Sequence, residues 1–474
     1  MEEKDFLKAG ILLVLFVGVA PLAGVLLRGR HKWQGRVFFL LCFMTISGVF
    51  SAAEWGLTLH DMPDYRGHSR GFHFYFSEVL AAALIVANFL EQPRRFRWFP
   101  PGLLVYLAFV LLSMVSIISA PQPLYVLMAA WKALEIILIF LAAYNFLQTI
   151  DDVRLMLTSF TVTIFWELLV VLKMKYADHL YQVMGTFEHQ NALAMYATLI
   201  GMVFLGAGVG PKQPRSTLYL AGFLACLWIV ECTLSRGGLV AFALGALLVM
   251  LLSLVDKITI RRLVIVSALA VLGLVGVVVA LHTIVGRFDA SYNADSAMTR
   301  QLLNTASSQM LHDHPLGVGW NNYGVVIDPP FHYGDVIDNY FRHTGDQSRA
   351  DQNKGISESL YWLLLAETGY EGFIGCLAVF AVFLWFNARG ALRFRNHLLG
   401  AISIGIAVGC LANYLQSTLE RVLTQPRNMM EWMLVLALAA RIETWRRQST
   451  PRRNETIAPQ TMAPSPAAGI SNAR

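Results

Sequence analysis

Charge is what this sequence has least of. Only 31 of its 474 residues are acidic and 37 basic, while 56% are hydrophobic and mean hydropathy is +0.53. A soluble chain of this length would form two or three domains with charged surfaces, and this one lacks the charge to cover them. Cysteine is scarce as well. All five (Cys42, Cys226, Cys232, Cys376 and Cys410) fall in apolar runs. That excludes a disulfide framework or thiolate metal site and leaves them as small core residues. No H-E-x-x-H motif occurs, and His312 and His314 are two residues apart, a spacing that does not share a helix face, so no metal is expected. Neither an internal repeat nor an inverted pair of broken helices, the mark of a transporter core, is present.

Long apolar runs are present instead. They cover 9–27, 37–54, 74–91, 101–119, 125–148, 156–174, 191–210, 217–234, 237–255, 263–283, 358–387, 398–415 and 429–443. A span needs about 20 apolar residues to cross roughly 30 Å of hydrocarbon. The expected fold is therefore an all-α polytopic membrane protein of about 12–13 transmembrane helices in a lipid bilayer, with one large, partly helical loop. The net charge of +6 does not point to nucleic acid, because the basic residues mark loops. Arg28–Arg36, Arg94–Arg97, Arg154, Lys212/Arg215, Lys257–Arg262, Arg389–Arg395 and Arg446–Arg453 fall on alternate connections, which all face the cytoplasm at once under the positive-inside rule. The first run, followed by Arg28 and Arg30, reads as a retained span rather than a cleaved signal.

The opposite face carries the chemistry. Residues 284–357 form the longest polar stretch, with His312, His314, His332 and His343, and with Arg287 and Arg300. Met298, Leu302, Ala306 and Met310 recur every four residues and predict an amphipathic helix, with Arg300, Asn304 and Ser308 on its other face. It ends at a Pro/Gly turn, "HPLGVGWNNYG". The aromatics Trp320, Tyr323, Phe331, Tyr333, Tyr340 and Phe341 predict a folded, partly buried loop. "MGTFEHQNALAMY" (184–196) and "TLSRGGLVA" (233–241) enter spans from the same side, the second placing Arg236 at the surface with Gly237 and Gly238 allowing close backbone approach. Arginines gathered on one face suit an anionic ligand, since the planar guanidinium fork bonds two phosphate oxygens and keeps its charge. The plainer readings are that Arg236 snorkels to headgroups, that Glu188–Asn191 cap a helix, and that Arg287 and Arg300 are solvated.

Two carboxylates close the pattern. Glu358 stands at the start of a span, with Ser357 as its N-cap in the plainer reading, and Glu367 lies nine residues on. On an unbroken helix the two face opposite ways, so they do not pair; Glu367 is expected to bond a neighbouring helix.

"GTFEHQNALA", "LSRGG", the Arg300 helix with "HPLGVGWNNYG", and "SLYWLLLAETGYEGFIG" occur in the order found in the O-antigen ligase and polysaccharide polymerase superfamily of bacterial envelope glycosyltransferases, which the chain resembles over 185–375. The resemblance implies transfer of a glycan from an undecaprenyl-diphosphate carrier at the periplasmic face of the bacterial inner membrane. The acceptor is a lipid A–core sugar in a ligase, another lipid-linked repeat in a polymerase, or a protein hydroxyl in an oligosaccharyltransferase; the ligase reaction is favoured here. A lipid-linked glycan flippase is the rival from another class. The resemblance implies that Arg236 and Arg300 hold the diphosphate and that no metal or nucleotide cofactor is needed. Where the family keeps His-Asn, this chain has Glu358 and Ser359, so Glu358 is the candidate base, with His332 or His343 as substitutes. Arg287, His189, Asn191, Asn321, His332 and His343 complete the expected substrate-binding set. The expected organisation is N-terminal spans in 1–183, a ligase-like core in 184–443 that includes the loop, and a disordered cytoplasmic tail in 444–474.

Overall fold

The computed structural model describes residues 3–46, 56–271, 273, 290–344 and 354–449. Its elements are α1 (Lys4–Leu27), α2 (His31–Phe43), a hairpin of β1 (Gly56–Leu59) and β2 (Phe72–Tyr75), α3 (Phe76–Glu91), α4 (Leu103–Ile118), α5 (Pro123–Phe146), α6 (Ile150–Ala177), α7 (Gln190–Val209), α8 (Ser216–Thr233) and α9 (Arg236–Asp256). These are followed by α10 (Ala290–Asp313), α11 (Asp335–Thr344), α12 (Leu360–Arg393), α13 (Leu398–Gln416) and α14 (Pro426–Gln448).

The chain is an all-α polytopic membrane protein. Among the described residues eight helices, α1, α5–α9, α12 and α13, are long and apolar enough to cross a membrane. The other expected spans are α2, 13 residues long, whose expected continuation over 47–54 lies outside the described residues, α3, 16 residues long and so short of a full span, the short apolar α4, and α14, which is nearly all buried yet carries charges at both ends. The run at 263–283 lies largely outside the described residues, as does Arg287.

Helix order and end contacts give the bundle two unlike ends. At one end the basic connections meet: Arg261 donates to the carbonyls of Gly208 and Gly210, Arg154 to Gln213 Oε1 at 2.8 Å, and Arg395 to the Asp256 carbonyl at 2.9 Å. α14 continues to Gln448, and Arg446 and Arg447 near its end are both paired with buried Glu443. The remainder of the expected tail, from 450, lies outside the described residues.

At the other end the large loop folds on a core of its own. Leu302, Ala306 and Met310 of α10 pack with Tyr323, Tyr333, Ile337 and Phe341, and against Leu363 and Ala366 of α12. Met298, Leu302, Ala306 and Met310 thus form the inward face the periodicity predicts, and the loop aromatics are buried or half-buried. Two sequence motifs join beneath it. α12 breaks at Gly369 (φ 65°), and "HPLGVG" supplies hydrogen bonds there, from Val318 N–H to the Ala366 carbonyl (2.8 Å) and from Gly319 N–H to the Glu367 carbonyl (3.0 Å). Backbone groups freed inside a membrane helix require partners of this kind. The break follows Glu367, so it does not turn that side chain toward Glu358. Glu367 instead accepts from Tyr323 N–H (3.2 Å) and lies 3.2 Å from His68 Nε2, in the segment after β1.

Candidate active site

Three helix starts and the loop helix converge at this end. His189 is the N-cap of α7, its Nδ1 accepting from Asn191 N–H at 3.2 Å, which matches the plainer capping reading. Asn191, on the first turn, uses its side chain for something else: Nδ2 donates to Glu420 Oε1 at 2.6 Å. α9 opens after Leu234 in left-handed conformation (φ 52°), with Ser235 as N-cap accepting from Gly238 N–H (3.2 Å) and Arg236 as the first helical residue. Only one of the two glycines is needed for close approach. A Cβ on Gly238 would stand 2.6 Å from that of Ala194 in α7, whereas one on Gly237 meets nothing nearer than 3.7 Å.

Arg300, on the solvent-side face of α10, holds two carboxylates at once. Its Nε donates to Glu358 Oε2 and its terminal nitrogen to Glu420 Oε1 at 2.9 Å. The helix that follows Glu358 is capped by Ser359, whose Oγ accepts from Trp362 N–H; Ser357 instead bonds Asn304 at 3.2 Å. This corrects the cap assignment. Glu358 lies outside the helix and its carboxylate is spent on Arg300, not on a helix end.

These groups head a cavity of about 760 Å³. Its polar wall includes His189, Asn191, Arg236, Arg300, Glu358, Glu420 and Gln416. Away from them it is apolar, running between Val240, Leu244 and Leu248 of α9 and Val408, Leu411 and Leu415 of α13. Burial pushes the Glu420 carboxyl up to about 7, with Glu358 adding to the shift while Arg300 and the Asn191 hydrogen bond oppose it. Burial also pulls His189 below its ordinary value, favouring neutral imidazole. Arg421, next in sequence to Glu420, is a further guanidinium within electrostatic reach of Glu358, Glu367, Glu420 and Glu188.

Of the expected site residues, Arg236, Arg300, Glu358, His189 and Asn191 therefore share one cavity. Asn321, His332 and His343 do not line it. Asn321 is fully buried with φ 62°, and its side chain latches the "GWNNYG" turn to the strap after β1, accepting from Ser69 N–H (3.1 Å) and donating to the Ser69 carbonyl (2.8 Å). His332 is exposed and lies 3.4 Å from Asp313, and His343 is exposed in the last turn of α11. Glu420 and Gln416 were not anticipated. Their signal was available: "QSTLERVLTQPR" (416–427) joins the last two spans on the same face as the loop, and an acid there requires a partner.

Residues 220–375 match the family model for O-antigen ligase. The matched stretch holds "LSRGG", the Arg300 helix, the "HPLGVGWNNYG" turn and the helix break, and it supports the resemblance to the O-antigen ligase-like superfamily. Glycan transfer of the ligase or polymerase type is the activity that goes with that family. His189, Asn191, Gln416 and Glu420 lie outside the match yet belong to the same cavity. No curated protein matches the chain.

Proposed function

We propose that the chain is a metal-independent glycosyltransferase that moves a glycan from an undecaprenyl-diphosphate carrier to an acceptor at the periplasmic face of the bacterial inner membrane, in the manner of an O-antigen ligase acting on a lipid A–core sugar. The observation that carries this reading is the division of one cavity into an arginine-bearing head and an apolar groove between two membrane helices. A polyprenyl diphosphate has the same two halves. Its isoprenoid chain suits the groove of α9 and α13, and its diphosphate suits Arg236, the start of α9, and Arg300.

The chemistry follows from that placement. An acceptor hydroxyl attacks the anomeric carbon as the bond to the diphosphate oxygen breaks. Charge grows on the diphosphate, and guanidinium groups held in place beforehand stabilise it without reorganising. The acceptor proton needs a base, and the carboxylates beside Arg300 supply one. On this reading 184–443 is the catalytic core and 1–183 its supporting helices, with the basic connections and 444–474 on the cytoplasmic side. A flippase would need polar groups along its path through the bilayer, and beyond Gln416 the cavity is lined by apolar residues of α9 and α13.

The test is a chromosomal null strain examined for its surface glycans. Unattached, carrier-linked polymer is expected. Single unpolymerised repeats would assign polymerisation instead, and glycan retained on the cytoplasmic leaflet would assign transport. Arg236→Ala and Arg300→Ala should reproduce the null phenotype with protein inserted at normal levels; full activity in both removes the diphosphate site.

A further inference from the structure

We infer that Glu420, rather than Glu358, is the base that takes the proton from the acceptor hydroxyl. The inference rests on the lipid-diphosphate reading above and names the group that completes its chemistry.

The two carboxylates share Arg300 but are held differently. Glu420 takes both of its donors, Asn191 Nδ2 at 2.6 Å and the Arg300 terminal nitrogen at 2.9 Å, on one oxygen, Oε1. That fixes the carboxylate from one side and leaves Oε2 without a hydrogen-bond partner among the described residues, on a side chain that lines the cavity. Glu420 is 13% exposed and Glu358 41%, so the former is sheltered where the latter meets solvent. Glu358 also binds the same guanidinium at Nε, where it holds the plane of Arg300 for the diphosphate.

Protonation equilibria agree with this geometry. A base works best when its pKa lies close to ambient pH, and burial pushes Glu420 up to about 7. The charged groups that act on it are Arg300 from α10, Glu358 from the turn before α12 and Arg421 beside it, while His189 from the cap of α7 and Arg236 from the start of α9 line the same cavity. His189 is held neutral by burial and already uses Nδ1 in its cap.

The step balances without a further reagent. The acceptor O–H proton passes to Glu420 Oε2, the oxygen's electron pair forms the new bond to the anomeric carbon, and the carbon–oxygen bond to the diphosphate breaks with its pair going to the diphosphate oxygen. Glu420 then loses the proton to water.

The experiment is steady-state transfer in membranes carrying the full chain, with undecaprenyl-diphosphate-linked glycan as donor, comparing wild type, Glu420→Gln, Glu420→Asp and Glu358→Gln from about pH 5 to about pH 9. Binding of undecaprenyl diphosphate and the thermal midpoint are read in parallel. Glu420→Gln should lower kcat by about 10²–10⁴-fold while still binding undecaprenyl diphosphate, and Glu420→Asp should keep part of the rate with its acid limb displaced. Glu358→Gln should mainly raise the donor KM. A larger kcat loss in Glu358→Gln, or wild-type kcat in Glu420→Gln, overturns the inference. If Glu420→Gln fails to fold, the displaced limb in Glu420→Asp decides, and an unmoved limb also overturns it. Arg236→Ala and Arg300→Ala separate the two levels. Lost transfer in these with wild-type kcat in Glu420→Gln refutes the base alone, whereas undiminished transfer in these refutes the donor site and the base with it.

Discussion

The backbone N–H of Val318 donates to the carbonyl of Ala366 across 2.8 Å, joining a Pro/Gly turn to the interior of a membrane-entering helix. The bond exists because α12 is interrupted at Gly369, where φ is 65°. The interruption lets the large loop grip the bundle, and the same loop carries Arg300. Gly369→Ala should therefore cost about 1–3 kcal/mol, since a Cβ there requires left-handed backbone and collides with the Pro315 carbonyl and Leu316. A lowered thermal midpoint checks this. Gly237→Ala is the contrast: a Cβ there has room, and the midpoint should stay near that of the wild type.

Arg300→Lys should be nearly as damaging to transfer as Arg300→Ala. The guanidinium reaches Glu358 with Nε and Glu420 with a terminal nitrogen, and an ammonium is a single point that does not reproduce this fork. Arg300→Ala should also lower the thermal midpoint, because it leaves the sheltered Glu420 carboxylate beside Glu358 without its ion-pair partner. Transfer assays and thermal unfolding on the two variants give the comparison. Wild-type transfer in Arg300→Lys would mean that charge alone is sufficient.

Much of this arrangement was legible in the sequence, for reasons that also explain what was not. Membrane segments announce themselves by composition, and the inward face of α10 by its repeat, because both are local properties. Arg236, Arg300, Glu358, His189 and Asn191 were found from motif order. The place of Glu420 in the last connection is readable from the sequence, but its partners, Arg300 and Asn191, are 120 and 229 residues away, and no local pattern encodes such a contact. Asn321 misled for the opposite reason: a polar residue in a motif looked like a ligand group, yet its left-handed backbone and buried amide make it a latch. His332 and His343 were the histidines nearest Glu358 in sequence, but the fold of the loop leaves them on its outer surface. Ser357 and Ser359 are equally good caps on paper, and the contact of Ser357 with Asn304 decides between them.

Two substitutions should move the acid limb of the pH–rate profile in opposite directions. Glu420, pushed up to about 7, must be ionised to accept a proton, so transfer should fall as pH drops through that value. The Asn191 hydrogen bond favours the ionised form, so Asn191→Ala removes a downward influence and should displace the limb to higher pH. The Glu358 charge disfavours the ionised form, so Glu358→Gln should displace the limb to lower pH. Profiles of kcat against pH for the three proteins read both shifts, and a common limb in all three would mean that another group titrates.

Gln416 should bind the donor at some expense to the empty protein. It is 3% exposed, lines the cavity one turn before Glu420, and neither atom of its amide has a hydrogen-bond partner among the described residues. A buried polar group without a partner costs about 1–3 kcal/mol, which a phosphate oxygen accepting from the amide would offset. Its Cγ lies 3.9 Å from where a Gly237 Cβ would stand, so the amide is beside the start of α9 and Arg236, at the border between the polar head and the apolar groove. Gln416→Leu should accordingly raise the thermal midpoint of the empty protein while weakening undecaprenyl diphosphate binding, by about tenfold for one hydrogen bond to a charged group. Affinity measured alongside the midpoint distinguishes the outcomes. Gain of both stability and affinity would make the site simply apolar at this depth, and loss of both would make Gln416 a structural residue held by water.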